Sequence, residues 1–448
     1  MSQYKPYPAY KDSGVAWLGR MPEHWQVKRL KHIANVQTGV AKGKDNEGKD
    51  TIEVPYLRVA NVQDGYLSLD DVTTIEIPRK DLARYSLQPG DVLMNEGGDF
   101  DKLGRGSVWL GEIEPCIHQN HVFAVRPTAV SSVWLNAFTG SLAAQFYFMG
   151  RAKQSTNLAS ISSSNIMELP VAMPSAIEID LLLAHLDRET ARINALIEKK
   201  NRFIELLREK RQALITHAVT KGLDSNVKMK DSGVEWLGQV LEHWNVKRLK
   251  LIATVQTGIA KGKDNAGKDT IEVPYLRVAN VQDGYLDLRE VATIEVSTAD
   301  LPRYLLQPGD VLMNEGGDFD KLGRGHVWQG EVEPCIHQNH VFAVRPHGVS
   351  SEWLSSFASS AAAQFYFMGR SKQSTNLASI SSSNLMELVV PLPREEEQHL
   401  ILAELDRQVT KVKALVTMTE HSIALLKERR SALITAAVTG QIDLREAI

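Results

Sequence analysis

Cysteine is scarce in this sequence: two residues in 448, Cys116 and Cys335. Two thiols cannot build a disulfide framework, and the usage fits a reducing cytoplasm. Long apolar runs are missing too. None approaches the ~20 residues that a bilayer requires, which excludes a membrane-spanning helix. Met1 to Tyr10 lacks the apolar stretch of a secretory signal. Neither sign of charge dominates, with 51 Lys and Arg against 54 Asp and Glu. That balance argues against a non-specific nucleic-acid coat, but specific DNA reading survives it, especially if a partner supplies basic surface. With 43% apolar residues the chain is not disordered at large, and its length predicts two to four domains.

Catalytic signatures are missing as well. There is no Asn-Pro-Pro-Tyr or Asp-Pro-Pro-Tyr run of an amino-methyltransferase. Gly39 to Lys44 only resembles a phosphate-binding loop, because Asp45 stands where a hydroxyl is needed. Glu47-Gly48-Lys49 resembles the end of a nuclease metal site, but Ala266 replaces that glutamate in a second copy described below. Cys116, His118 and His121 recur as Cys335, His337 and His340 and are residue types that bind zinc. In a strand, however, alternation sends Cys116 and His118 to one face and His121 to the other. A packed cysteine with hydrogen-bonded histidines is therefore expected, and neither a catalytic nor a metal-binding residue is assigned.

What the sequence does contain is one unit written twice. Lys11 to Val15 returns as Lys230 to Val234, a shift of 219 residues. Residues 51–67 are identical to 270–286, and 88–106 to 307–325. So long a period is a tandem domain duplication, not a solenoid. Each unit begins with short β-like runs, such as Ile52 to Val54, Asp91 to Met94 and His121 to Val125, with turns between them. Shorter helical stretches such as Ser132 to Arg151 are mixed in, giving an α+β domain.

From about residue 176 a helical pattern runs without Gly or Pro until Gly222. Its heptads place Leu186, Ile193, Ile197, Ile204 and Leu207 on one apolar stripe. Leu405, Val412, Val416, Ile423 and Leu426 form the matching stripe of the second copy. Such heptads read as coiled coil, each rod about 65 Å long, and the two rods most simply pack on each other, antiparallel. Lys200 and Arg211 at core-type positions read as register devices or snorkelling side chains. The expected organisation is a domain over 1–174, a long helix over 175–221, a second domain over 222–393, a second helix over 394–440 and a tail over 441–448.

Three loops carry chemistry suited to DNA. The first supplies Asn95, Glu96, Asp99, Lys102 and Arg105, repeated as Asn314, Glu315, Asp318, Lys321 and Arg324. The second supplies Lys42, Lys44 and Asn46, repeated as Lys261, Lys263 and Asn265. The third supplies Arg151, Lys153, Gln154 and Asn157, repeated as Arg370, Lys372, Gln373 and Asn376. Lys and Arg suit phosphates, Arg also suits guanine, and Asn and Gln suit adenine edges. Each loop taken singly is equally a turn with solvated charges.

The order of these pieces resembles a known family. Tyr10 to Gly19, then Pro22-Glu23-His24-Trp25 and Val27 to Leu30, is similar to the characteristic start of the specificity subunit of type I restriction–modification systems. Pro391-Leu392-Pro393 with Glu397-Gln398 resembles that family's approach to its helix. Arg211 to Thr216 with Ala218-Val219-Thr220, and the matching stretch Arg430 to Thr439, resemble its helix end. Two departures stand out: Leu241 replaces Pro22 in the second copy, and Ala176 to Ile179 lacks the Glu-Gln pair.

The resemblance implies a non-catalytic chain with two target-recognition domains on double-stranded DNA. It implies helices that space those domains and dock two methyltransferase subunits, which bind S-adenosylmethionine and methylate adenine N6. Restriction–translocase subunits using Mg and ATP would complete the nuclease, and no cofactor would bind this chain itself.

Residues 27–174 match 246–393 at 118 of 148 positions, whereas 175–218 match 394–437 at 19 of 44. Domains so much closer than the helices are expected to read the same short sequence, and on an antiparallel ruler that predicts a gapped palindrome. The differences concentrate at Ser68 to Ser86. A coiled-coil scaffold carrying two β-rich modules for a non-DNA ligand is the alternative.

Overall fold

The computed structural model describes residues 4–43, 47–98, 103–104, 106–154, 159–224, 226–262, 267–317, 322–323, 325–373 and 378–445, without the side chains of Gln154 and Gln373. The chain divides into two compact units. One comprises Met1–Lys200 with His421–Ile448, the other Asn201–Glu420. Among the described residues no helix is long and apolar enough to cross a membrane.

In the first unit, four strands form an antiparallel sheet in the order Ala34–Thr38, Val122–Pro127, Val92–Asn95, Gly106–Val108. Val92 to Asn95 are all buried, because the sheet is covered on both faces. Val92 and Met94 face a core built with Trp134, Phe138, Phe148 and the long helices. Leu93 faces a second core with Leu57, Trp109 and Cys116. Two-sided burial thus replaces the in–out alternation of a half-solvated strand. Gly106 permits the tight pairing there, since a β-carbon would lie 1.6 Å from the Leu93 carbonyl oxygen.

A second sheet sets Ile117–His118 parallel to Thr51–Leu57, which pairs antiparallel with the edge strand Thr73–Pro78. A third, small sheet joins Lys153–Gln154, Ala159–Ser160 and Gly97–Gly98. Helices Ser132–Thr139 and Leu142–Arg151 start at Ser131 and Ser141, whose hydroxyls accept from backbone N–H groups of the first turn. The second unit repeats the four-stranded sheet, the three-stranded sheet and the small sheet strand for strand.

The long helices are Ala176–Lys221 and Glu395–Val438. Both stop at a glycine in the left-handed region, Gly222 at φ +69° and Gly440 at φ +71°. In the first unit Ile179, Leu182 and Leu186 share a core with Leu433, Ala436 and Val438. Arg430 Nη1 donates to Asn194 Oδ1 at 2.7 Å. Rising numbers on one helix meet falling numbers on the other, so the two segments are antiparallel. In the second unit Ile215, Ala218 and Val219 pack with Ile401 and Leu405.

The expected stripe is the buried one. Leu186, Ile193, Ile204, Leu207, Leu405, Val412 and Ile423 are buried, and Ile197, Val416 and Leu426 are half-buried. Arg211 is an anchor to its own unit, with Nη1 2.8 Å from Asp283 Oδ2.

Each domain therefore rests on the closing turns of a helix. Leu142 N donates to Thr435 Oγ1 at 3.0 Å in the first unit, and Ala361 N to Thr216 Oγ1 at 2.8 Å in the second. Where each helix begins, Glu178 and Glu397 play the same part. Glu178 accepts from Trp25 Nε1 at 3.1 Å and pairs with His24 Nε2 at 2.9 Å; Glu397 does the same with Trp244 at 3.0 Å and His243 at 2.8 Å. The missing Glu-Gln pair of the first copy leaves this clamp intact. Leu241 in place of Pro22 likewise leaves the hairpin pairing unchanged.

Candidate nucleic-acid interface

The three loops singled out in the sequence begin and end on neighbouring strands. Gly97 and Gly98 lead into the first loop and pair with Ser160 and Ala159, which close the third. Lys153 and Gln154, opening the third loop, pair with the other side of that strand. Val40, before the second loop, bridges to Gln119, and the N–H of Asn120 donates to the Val40 carbonyl at 3.1 Å. The Glu96 N–H donates to the His121 carbonyl at 2.9 Å, and the Ile161 N–H to the Glu96 carbonyl at 2.9 Å. Folding thus gathers three sequence-distant loops at one edge of the domain. Asn339, Ile259, Glu315, His340 and Ile380 repeat these bonds in the second unit at 2.9–3.1 Å.

Individual side chains are distributed unevenly. Lys42, Arg151, Lys153, Lys261, Arg370 and Lys372 are exposed. Arg151 lies 5.2 Å over the Tyr147 ring, and Arg370 6.0 Å over Tyr366, contacts that orient the guanidinium groups. Asn95 and Asn314 are turned inward: each Nδ2 donates to a loop carbonyl, Val62 at 3.0 Å and Val281 at 2.9 Å. Glu96 and Glu315 pair with His121 and His340. Lys44, Asn46, Asp99, Lys102, Arg105 and Asn157 lie outside the described residues, as do Lys263, Asn265, Asp318, Lys321, Arg324, Asn376 and the side chains of Gln154 and Gln373.

The sequence pattern raised His121 only as a zinc-type residue beside Cys116 and His118, and left Gln119 and Asn120 aside. The signal of the turn Gln119-Asn120-His121 was there, three polar residues between apolar strand segments, identical in both copies. Cys116 and His118 are interior. Burial pushes the Cys116 thiol up to about 12, and His118 Nδ1–H donates to the Val122 carbonyl at 2.7 Å. His121 points outward to Glu96, so the three do not converge. Among the described residues no group of His, Cys, Asp or Glu could hold a metal ion.

The divergent stretch from Ser68 to Ser86 borders the same region. A cleft of about 930 Å³ is lined by Lys42 and Lys49 on one side and by Thr74, Glu76, Pro78 and Tyr85 on the other. Arg79 and Lys80, exposed beside it, are Thr298 and Ala299 in the second copy.

The family described as "Type I restriction modification DNA specificity domain" matches residues 241–422. The putative type I restriction enzyme MjaX specificity subunit of Methanocaldococcus jannaschii is 21% identical over 445 residues, covering 96% of both chains. The EcoKI specificity subunit of Escherichia coli is 21% identical over 441 residues, covering 95% of this chain and 90% of its own. A chain from a solved type I R-M system superposes with a TM-score of 0.65 at 16% identity, over 94% of this chain and 99% of that one. The matched segment lies within the second copy of the 219-residue repeat. Over residues 241–422 this chain matches the type I restriction modification DNA specificity domain, and along nearly its whole length it is similar to type I restriction enzyme specificity subunits.

Proposed function

We propose that this chain reads a bipartite, gapped and palindromic DNA target and brings adenine-N6 methyltransferase and restriction subunits to it. Its role is sequence specificity within a type I restriction–modification complex, and catalysis belongs to the partners. The observation that carries the finer reading is the repeat. Two domains share 118 of 148 residues, and the same main-chain bonds gather the same loops in each. Identical readers select identical half-sites, and a gapped palindrome presents the same half-site twice, once on each strand. Flipping of the target adenine needs a base pocket that the methyltransferase would supply.

Two methyltransferase subunits are part of the proposal. Apolar side chains left exposed on the helices support it: Leu181, Leu196 and Leu425 in the first unit, and Phe203, Leu206 and Leu415 in the second.

The test is to co-express the chain with its methyltransferase subunit and map N6-methyladenine by long-read sequencing. A gapped palindrome methylated on both strands is expected. An asymmetric gapped motif would retain DNA reading but overturn the symmetry, and would assign the difference to residues 68–86. A stable complex that methylates no defined motif would overturn the function.

A further inference from the structure

The turn that joins Ile117–His118 to Val122–Pro127 sits where the three loops meet, and its side chains form an ordered relay. Glu96 Oε2 lies 2.7 Å from His121 Nδ1, and His121 Nε2 lies 3.3 Å from Asn120 Nδ2. The second unit repeats both contacts with Glu315, His340 and Asn339, at 2.8 and 3.4 Å. The His121 and His340 side chains are 57% and 58% exposed, so this is surface chemistry rather than a packed core network.

Donor and acceptor roles follow from the groups themselves. An ionised glutamate only accepts, so Nδ1 must donate to it. In the neutral ring the remaining lone pair is on Nε2, and that lone pair takes one N–H of the asparagine amide. One amide hydrogen is thereby engaged by the ring, and the carbonyl oxygen and second N–H take no part in that contact. A carbonyl beside an N–H is the complement of the N6–H donor and N7 acceptor that adenine shows in the major groove. A glutamate–histidine pair that served only to brace the loop would have no need of the amide.

We infer that Asn120 and Asn339 each read one adenine of a half-site, with His121–Glu96 and His340–Glu315 as positioning residues. The inference rests on the DNA-reading function proposed above and names residues for it.

The experiment uses the full chain in complex with its methyltransferase subunits and a duplex carrying the mapped motif. Each adenine is replaced in turn by 7-deazaadenine, which removes the N7 acceptor. The wild-type complex should lose about tenfold in affinity at one adenine of each half-site, the scale of a bidentate base contact. The Asn120→Ala, Asn339→Ala double variant should bind the unmodified motif about tenfold more weakly and show no further loss at that adenine. Glu96→Gln with Glu315→Gln should blunt the same 7-deaza effect, because a neutral amide holds the histidine Nδ1–H less firmly than a carboxylate does.

Equal 7-deaza losses in wild type and the asparagine variant would overturn the assignment. So would a variant that weakens motif and random DNA alike, the mark of a bracing role. A wild-type complex with no preferred sequence would overturn the DNA-reading function itself, and this inference with it.

Discussion

His118 and His337 lie in fully buried positions, where each Nδ1–H donates to a carbonyl while Nε2 has no hydrogen-bond partner among the described residues. Burial pushes both below the ordinary histidine range, His337 to about 4. Between pH 6.5 and 4 the unfolded chain would carry a proton that the folded second unit does not, so stability rises with pH there. It is full above pH 6.5 and is lost progressively as the pH falls towards 4, by on the order of 3 kcal/mol for His337. Denaturant melts of wild type and His337→Asn at pH 7.5 and 5.0 measure this. The variant keeps a donor for the Val341 carbonyl and loses the titration, so the wild type should fall further between the two pH values. Equal falls would show that His337 does not couple folding to pH.

At the scale of the element, the beginnings of the long helices are held by the same clamp in different surroundings. The Glu178 side chain is 6% exposed and has Arg445 at 4.0 Å, whereas Glu397 is 28% exposed. Removing either carboxylate orphans a tryptophan N–H, which costs about 1–3 kcal/mol when fully buried. Glu178→Ala should fall at the upper end of that range and Glu397→Ala at the lower. Peptide-resolved hydrogen exchange at Trp25 and Trp244 reads the two separately, and equal protection losses would count against burial as the cause.

The helices themselves were legible because a 3.5-residue apolar period constrains a whole face, and that face is the buried one. What the heptads could not specify is which domain sits on which helix end. The first domain meets its helix end through a shared core with Leu433, Ala436 and Val438 and through hydrogen bonds such as Leu142 to Thr435, contacts that leave no periodic trace. Asn95, read in the sequence as part of a loop, instead ends a strand of a sheet covered on both faces and turns its side chain inward to hold a carbonyl.

For the whole molecule, the repeat was plain from identity alone, but the composition of the first unit was not. It takes the end of the second helix and the residues after it. Gln441 Nε2 donates to the Arg20 carbonyl at 2.8 Å, Asp443 N to the Lys5 carbonyl at 2.8 Å, and Ile442 and Leu444 are buried. The Arg445 guanidinium lies 4.9 Å over the Tyr7 ring. Removing residues 441–448 should therefore raise hydrogen exchange across residues 4–25 and leave residues 229–244, the counterpart of 10–25, as they are. Uniform loss of protection in both segments would mean that the tail stabilises more than its own unit.

The same arrangement has a consequence for synthesis on the ribosome. Domains generally fold as units, and the one made first usually folds first. Here the unit encoded between residues 201 and 420 has all its parts before the other does, because the earlier one waits for His421–Ile448. The half translated first is completed last. Until then it exposes the apolar surface meant for Leu433, Ala437 and Val438, so a nascent chain stalled near residue 420 should be the form most dependent on chaperones.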